Sequence, residues 1–373
     1  MTPIGLYIDF PFCLSRCAFC AFNIQGYREG LADRYIAALR SEIALHAEGP
    51  VGSERMITSI YFGGGTPSLS PPDGIGEVLS LVRTKFNVAG DAEVTLEAHP
   101  ATIDPAKLTA FRAAGINRLS LGAQSFSDAH LEALGRRHTA DQARSAFVAA
   151  RAAGFSNIGI DLIYAISEQS LSDWEETLQV AIDLAPEHLS LYGLSIEEGT
   201  LFYKKARAGT LSLPSEAEAI LFYQTAQARL PAAGYRQYEI SNFARPGFAC
   251  RHNLLYWDRG EVLGVGLSAH SYLHRERRAN TDALPTYFEE VESGKLPIDQ
   301  IEKVSEEAAR RDRIIFGFRK TEGIPESLLK DDPALGETAE RLLEAGLLIR
   351  EKGRIRLTAK GTLCADEVAV AFI

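Results

Sequence analysis

Three of the chain's five cysteines, Cys13, Cys17 and Cys20, fall within eight positions in the stretch DFPFCLSRCAFCAFN, residues 9–23. Their spacing is Cys-x3-Cys-x2-Cys, on a loop directly after the apolar run IGLYIDF. Close-set thiols outside a disulfide framework point to metal binding. A structural zinc wants four ligands, usually as two Cys-x2-4-Cys pairs, and the chain has no second pair. Three thiolates on one tight loop suit three corners of a 4Fe–4S cube and leave one iron without a protein ligand. That iron is a Lewis acid open to chelation by an amine and a carboxylate. Phe10, Phe12, Phe19 and Phe22 surround the cysteines and are expected to shield such a cluster from water.

Other residues able to do chemistry recur at one place in a repeating pattern. The run ITSIYF leads into GGGTPS, with Gly63, Gly64, Gly65, Thr66 and Pro67. Three glycines let a backbone approach a ligand closely and present its N–H and C=O groups. Glu97 stands in LEAHP, Gln124 in LGAQSF, Arg136 in LGRRHT and Asp161 in IDLIY. A lone carboxylate in a strand is ordinarily a surface or ion-paired residue. Several at equivalent ends of successive strands are the expected rim of a barrel-type site. Together they offer partners for an amino group, a carboxylate and a ribose.

The elements that must position these residues follow from periodicity. Strands are expected at 4–10, 57–62, 93–98, 117–122, 157–163 and 187–193, with helical spacing at 31–47, 141–154 and 172–185. Ser172 with Glu175 three residues on reads as a helix start, and Gly154 as a helix end. Successive βα units with nearly continuous apolar strands predict a parallel sheet covered on both faces. The expected fold is α/β: a partial (β/α)6 barrel over 1–234, an extension with added strands over 235–300, and a winged-helix-like α+β module over 301–373. For that last module a helix, a helix and a two-stranded wing are expected.

Composition sets outer limits. With 39 basic and 49 acidic residues the net charge is −10, which disfavours nucleic acid as a partner. No apolar run approaches the ~18 residues of a membrane span. The amino terminus MTPIGLYIDF has no basic n-region, so a cytoplasmic location is expected.

Cys-x3-Cys-x2-Cys after the first strand of a βα series resembles the radical S-adenosylmethionine (SAM) superfamily. There the open iron binds the methionine end of SAM, and reductive cleavage yields a 5′-deoxyadenosyl radical. YIDFPFC, YFGGGTPS, RLSLGAQSF, LGRRHT, DLIY, YEISNFA and CRHNLLYW, in that order, are similar to the oxygen-independent coproporphyrinogen oxidase group. That group contains the oxidases and the HemW-type haem chaperones. The resemblance implies a 4Fe–4S cluster on Cys13, Cys17 and Cys20. It also implies SAM contacts from Tyr7, Phe19, Gly64, Gly65, Thr66, Glu97, Gln124, Arg136 and Asp161, and a flavodoxin or ferredoxin as reductant.

Two features bear on the branch. The oxidase pattern has a fourth cysteine where this chain has Phe22, whereas the chaperone branch carries HNxxYW, here His252, Asn253, Tyr256 and Trp257. The resemblance implies haem on His252 and transfer to respiratory proteins; alternatively His252 only ties the C-terminal region to the barrel. A second functional reading is an enzyme, either a coproporphyrinogen III oxidase or a radical methyltransferase. Cys250 reads as either a second haem ligand or a quiet buried thiol, Cys364 as structural, and His270 as either pocket-lining or packed. The chain departs from the family at AISEQS (165–170), where GLPGQT is usual, and at EAHP, where EANP is usual.

Overall fold

In the computed structural model, residues 1–330 and 332–373 are described. The expected strands form β1 (Thr2–Phe10), β2 (Arg55–Gly64), β3 (Asn87–Ala98), β4 (Arg118–Gln124), β5 (Ile158–Tyr164) and β6 (His188–Gly193). They pair parallel in that order. On one face of β1, Ile4, Leu6 and Ile8 are fully enclosed. Each such side chain contributes roughly 1.5–3 kcal/mol when taken from water. Crossover helices include α1 (Glu29–Ala47), α2 (Pro72–Lys85), α3 (Pro105–Ala114), α4 (Asp128–Ala133), α5 (Ala140–Ala152) and α6 (Leu171–Leu184), followed by α7 (Leu201–Arg207) and α8 (Glu216–Ala232).

After residue 234 come β7 (Arg236–Gln237), β8 (Asn242–Ala244), α9 (Arg251–Trp257), β9 (Glu261–Val265), β10 (His270–Leu273) and β11 (Glu276–Asn280). Then α10 (Leu284–Glu292) precedes β12 (Ile298–Lys303). The whole forms one twelve-stranded sheet ordered β12-β11-β10-β9-β1-β2-β3-β4-β5-β6-β8-β7. Most of these added strands are antiparallel, and β9 is the exception. It runs parallel to β1, because β8, antiparallel to β6, has already brought the chain back to the end of the sheet where β1 starts. Side chains of β2 through β6 line one central cavity, so the sheet curls into an incomplete barrel.

The C-terminal module comprises α11 (Glu306–Gly317), β13 (Ile324–Pro325), α12 (Pro333–Glu344), β14 (Leu348–Glu351) and β15 (Arg354–Leu357). It has its own core, with Ile314, Phe318, Ile355 and Phe372 at its centre. The wing has three strands, not two, because Ile324 pairs with Ile355 along the free edge of β15. The module grips the end of α9: Arg319 stacks over Trp257 at 4.5 Å, and Arg259 bonds Asp312 at 2.8 Å. No helix of the described residues is long and apolar enough to cross a membrane.

Helix α6 begins earlier than the sequence suggested. Ser170, not Ser172, is its cap, and the reciprocal bonds run to Asp173 and not to Glu175. Gly154 stands just past α5 with φ +89°, as a helix end requires. The departing loop AISEQS keeps a glycine-like backbone without glycine: Ala165 has φ +58° and Glu168 φ +61°. Left-handed backbone costs an L-residue about 1 kcal/mol or more, part of which glycine returns as unfolded-chain entropy. Glu168→Gly is therefore expected to raise stability by a few tenths to about 1 kcal/mol, measured by denaturant unfolding. A loss of stability would show that the Glu168 side chain holds the loop.

Candidate functional site

The thiol loop is seated mainly by backbone. Gln25 N–H bonds Pro11 O at 2.8 Å and Tyr27 N–H bonds Cys13 O at 3.0 Å, closing the loop on its own stem. Ala18 N–H bonds Leu134 O and Phe202 N–H bonds Ala18 O, each at 3.0 Å, so the loop is anchored between the end of α4 and the start of α7. The glycine turn after β2 lies against the same stem, with Gly65 N–H bonded to Phe10 O at 2.9 Å. A Cβ on Gly65 would come within 2.7 Å of the Pro11 carbonyl carbon, and one on Gly64 would strike the Asp9 carboxylate. Gly64 also has φ +102°. The glycines thus make room for the cysteine loop in addition to facing the cavity.

Cys13, Cys17 and Cys20 are free, half-buried thiols on the wall of one cavity of about 720 Å3. Cys13 Sγ lies 3.2 Å from Thr66 Oγ1, and an Arg136 N–H reaches Cys17 Sγ at 3.4 Å. Burial pushes the Cys13 and Cys20 thiols up. Among the described residues no three His, Cys, Asp or Glu converge as one metal ion would require. Of the four phenylalanines, Phe19 and Phe22 line the cavity, and Phe22 is 67% exposed at its mouth. Phe10 and Phe12 are instead fully buried edge-on against Tyr35, because both belong to the strand side of the loop and face the core.

The same cavity is lined by Gly64, Gly65, Thr66, Glu97, Gln124, Arg136 and Asp161. Glu97 accepts from Tyr61 OH at 2.9 Å, and burial followed by the neighbouring Asp161 charge pushes its carboxyl up to about 7. Asp161 accepts from Ser120 Oγ at 3.0 and 3.1 Å, and burial raises its carboxyl as well. Arg136 donates to Gly122 O at 2.8 Å, while its buried Nε has no partner among the described residues. Tyr7 stands outside the cavity wall. Its ring packs on Tyr61 at 6.2 Å beneath Gly63, and its hydroxyl donates to Asp9 at 3.4 Å.

His252 is not on the wall either. It is 2% exposed, with Nδ1 2.9 Å from Ser59 Oγ, its ring stacked on Tyr61 at 5.2 Å, and Nε2 without a partner among the described residues. Burial, then Arg118, lowers its pKa to about 3, so the imidazole is neutral. Asn253 of the same helix does reach the cavity, from the end opposite the thiols. Cys250 is fully buried, 3.4 Å from Glu93 and pushed up by burial to about 12. His270 is exposed, and Cys364 lies in the C-terminal module.

Sequence reasoning missed Arg118, 1% exposed at the start of β4, whose Nε and one terminal nitrogen have no partner among the described residues. It also missed Tyr61, Ser120 and Ser190 on the same wall. Strand alternation was the available signal, since Arg118 and Ser120 share a face of β4.

A radical SAM superfamily model matches residues 7–181, and a HemN C-terminal domain model matches 304–364. The chain is 37% identical to the heme chaperone HemW of Mycobacterium tuberculosis, covering 98% of this chain and 94% of that one. It is 31% identical to the heme chaperone HemW of Bacillus subtilis, covering 98% of each. Coproporphyrinogen III oxidase (HemN) from Escherichia coli, described as a radical SAM enzyme, superposes with a TM-score of 0.85 at 26% identity. That match covers 100% of this chain and 90% of the oxidase.

A carboxyl raised from 4.5 to about 7 favours the fold below pH 4.5 and loses that contribution as pH rises through 7. The stability of the wild type relative to Glu97→Gln is therefore expected to fall between pH 4.5 and 7.5, by on the order of 2 kcal/mol. Denaturant unfolding across that range checks it, and a difference independent of pH would contradict the assignment.

Proposed function

The chain belongs to the radical SAM superfamily, in the haem-chaperone branch of the oxygen-independent coproporphyrinogen III oxidase-like group, and on that premise we propose that it holds a 4Fe–4S cluster, SAM and haem and hands the haem to other proteins. The observation that carries the reading is the meeting of three free thiols with Glu97, Gln124, Arg136 and Asp161 on one cavity wall. Cys13, Cys17 and Cys20 would hold the cluster, which when reduced would offer SAM a coordination site at its fourth iron and the electron for reductive cleavage. A flavodoxin or ferredoxin is the proposed donor of that electron.

The residues divide the binding work by charge. Glu97 accepts from an N–H of the SAM amine, which binds iron in its neutral form, and burial holds the Glu97 carboxyl near 7. Arg136 and Gln124 face the carboxylate, while Gly64, Gly65, Thr66 and Phe19 border the methionine chain. Asp161, oriented by Ser120, accepts from ribose hydroxyls. Arg136 beside Cys17 offsets negative charge at the thiol loop.

Haem is assigned to His252. The ring is neutral and one nitrogen is unpartnered, so that His252 would be the residue to hold haem iron, but the side chain is enclosed. Coordination therefore requires α9 to lift from the base of β1 and β2, where Gly5 and Ser59 receive it. Respiratory haem proteins are the proposed recipients. A second reading, oxidation of coproporphyrinogen III, draws on the full-length likeness to the oxidase; Phe22 in place of the fourth cysteine weighs against it.

The chaperone reading predicts stoichiometric haem uptake by anaerobically reconstituted protein, loss of that uptake in His252→Ala, and no turnover of coproporphyrinogen III with SAM and reductant. Absorbance titration and product analysis on one preparation check all three. Turnover without haem uptake would instead establish the oxidase reading.

A further inference from the structure

We propose that His99 is a further ligand-binding residue of the cavity, donating from Nε2 to the carboxylate of an amino-acid head group lodged between Glu97 and Arg136. The inference rests on the reading of the cavity as a SAM site. His99 lies two residues beyond Glu97 and forms part of the cavity wall. Its Nδ1 accepts the Ala101 backbone N–H at 3.1 Å. A neutral imidazole accepting at one nitrogen carries its proton on the other, so Nε2 is a donor. No described residue hydrogen-bonds Nε2.

The ring is held in place on two sides. His138 packs edge-on against it with ring centroids 4.9 Å apart, and His138 is itself tied to Ala123 O at 3.0 Å. Burial, then the Arg136 charge, then His138 lower the His99 pKa to about 2, so the donor adds no charge at working pH. Arg136 is likewise fixed, by Gly122 O and Cys17, and keeps a buried Nε unpartnered. Two fixed donors and one carboxylate acceptor suit the carboxylate and the amine of an amino-acid head group. The buried Arg136 Nε left unpaired costs free energy that a ligand carboxylate would recover.

This position is where the family usually has asparagine. Asparagine can also cap Ala101, but on a shorter side chain, so His99→Asn keeps the cap while withdrawing the donor. The test compares SAM with 5′-methylthioadenosine, which retains the adenosine and lacks the amino-acid carboxylate. With cluster-loaded full-length protein in calorimetric titration, His99→Asn is expected to weaken SAM about tenfold, as loss of a hydrogen bond to a charged group does. Binding of 5′-methylthioadenosine is expected to be unchanged, which also reports an intact site. A change in SAM affinity within about twofold, or an equal loss for both ligands, overturns the role of His99 alone. A wild-type protein that binds neither ligand overturns the SAM reading and this inference together.

Discussion

The close approach of the glycine turn to the stem of the cysteine loop is the contact on which the rest of the site depends. Gly64 and Gly65 sit where any Cβ would overlap Asp9 or the Pro11–Phe12 backbone, and the Gly65 N–H is bonded to Phe10 O. Because side chains are excluded, two strand ends meet at backbone distance. Cys13 is thereby brought to Thr66, and the loop is carried over the open end of the barrel. The other anchors, to Leu134 and Phe202, fix the far side of the loop without using any cysteine side chain. The three thiols thus remain free on a loop whose path is determined by backbone bonds.

Below that loop the cavity is a polar lumen inside an apolar wall. Glu97, Asp161, Arg118 and Arg136 are taken from water together, which shifts the two carboxyls upward and leaves guanidinium nitrogens without protein partners. Such unpaired buried donors are costly unless a ligand or ordered water meets them. The HNxxYW helix closes the opposite end. His252 and Asn253 sit at the base of the same barrel, and Trp257 is clasped by Arg319 of the C-terminal module. The proposed haem ligand and the thiol loop are therefore at the two ends of one barrel, and the winged-helix-like module holds the helix that bears the former.

Much of this was legible in the sequence. The order of the strands, the thiol spacing and the rim residues Glu97, Gln124, Arg136 and Asp161 are local features, and the cavity gathers all four, although the third strand starts at Asn87, six residues before its expected 93. What escaped depends on tertiary contact. Nothing local distinguishes Phe10, pressed on Tyr35, from Phe22, which is exposed. Arg118 reads as a surface cation until its strand is seen packed into a barrel. His252 reads as available until Gly5 and Ser59 are seen to enclose it. The α6 cap is Ser170 and not the expected Ser172, because Ser170 and Asp173 close a reciprocal pair at the start of the helix. Ala165 and Glu168 keep positive φ without glycine, as the surrounding loop fixes the backbone more strongly than their intrinsic preference opposes it.

The central claim is that Cys13, Cys17 and Cys20 hold a 4Fe–4S cluster whose fourth iron is reserved for SAM. Electron–nuclear double resonance of the reduced, anaerobically reconstituted protein, with SAM isotopically labelled at its amino nitrogen and carboxylate, tests this most directly. The account predicts hyperfine coupling from both labels to the cluster, absent in Cys17→Ala. A reduced cluster that shows no coupling to either label, or a reconstituted protein with no cluster, would contradict it.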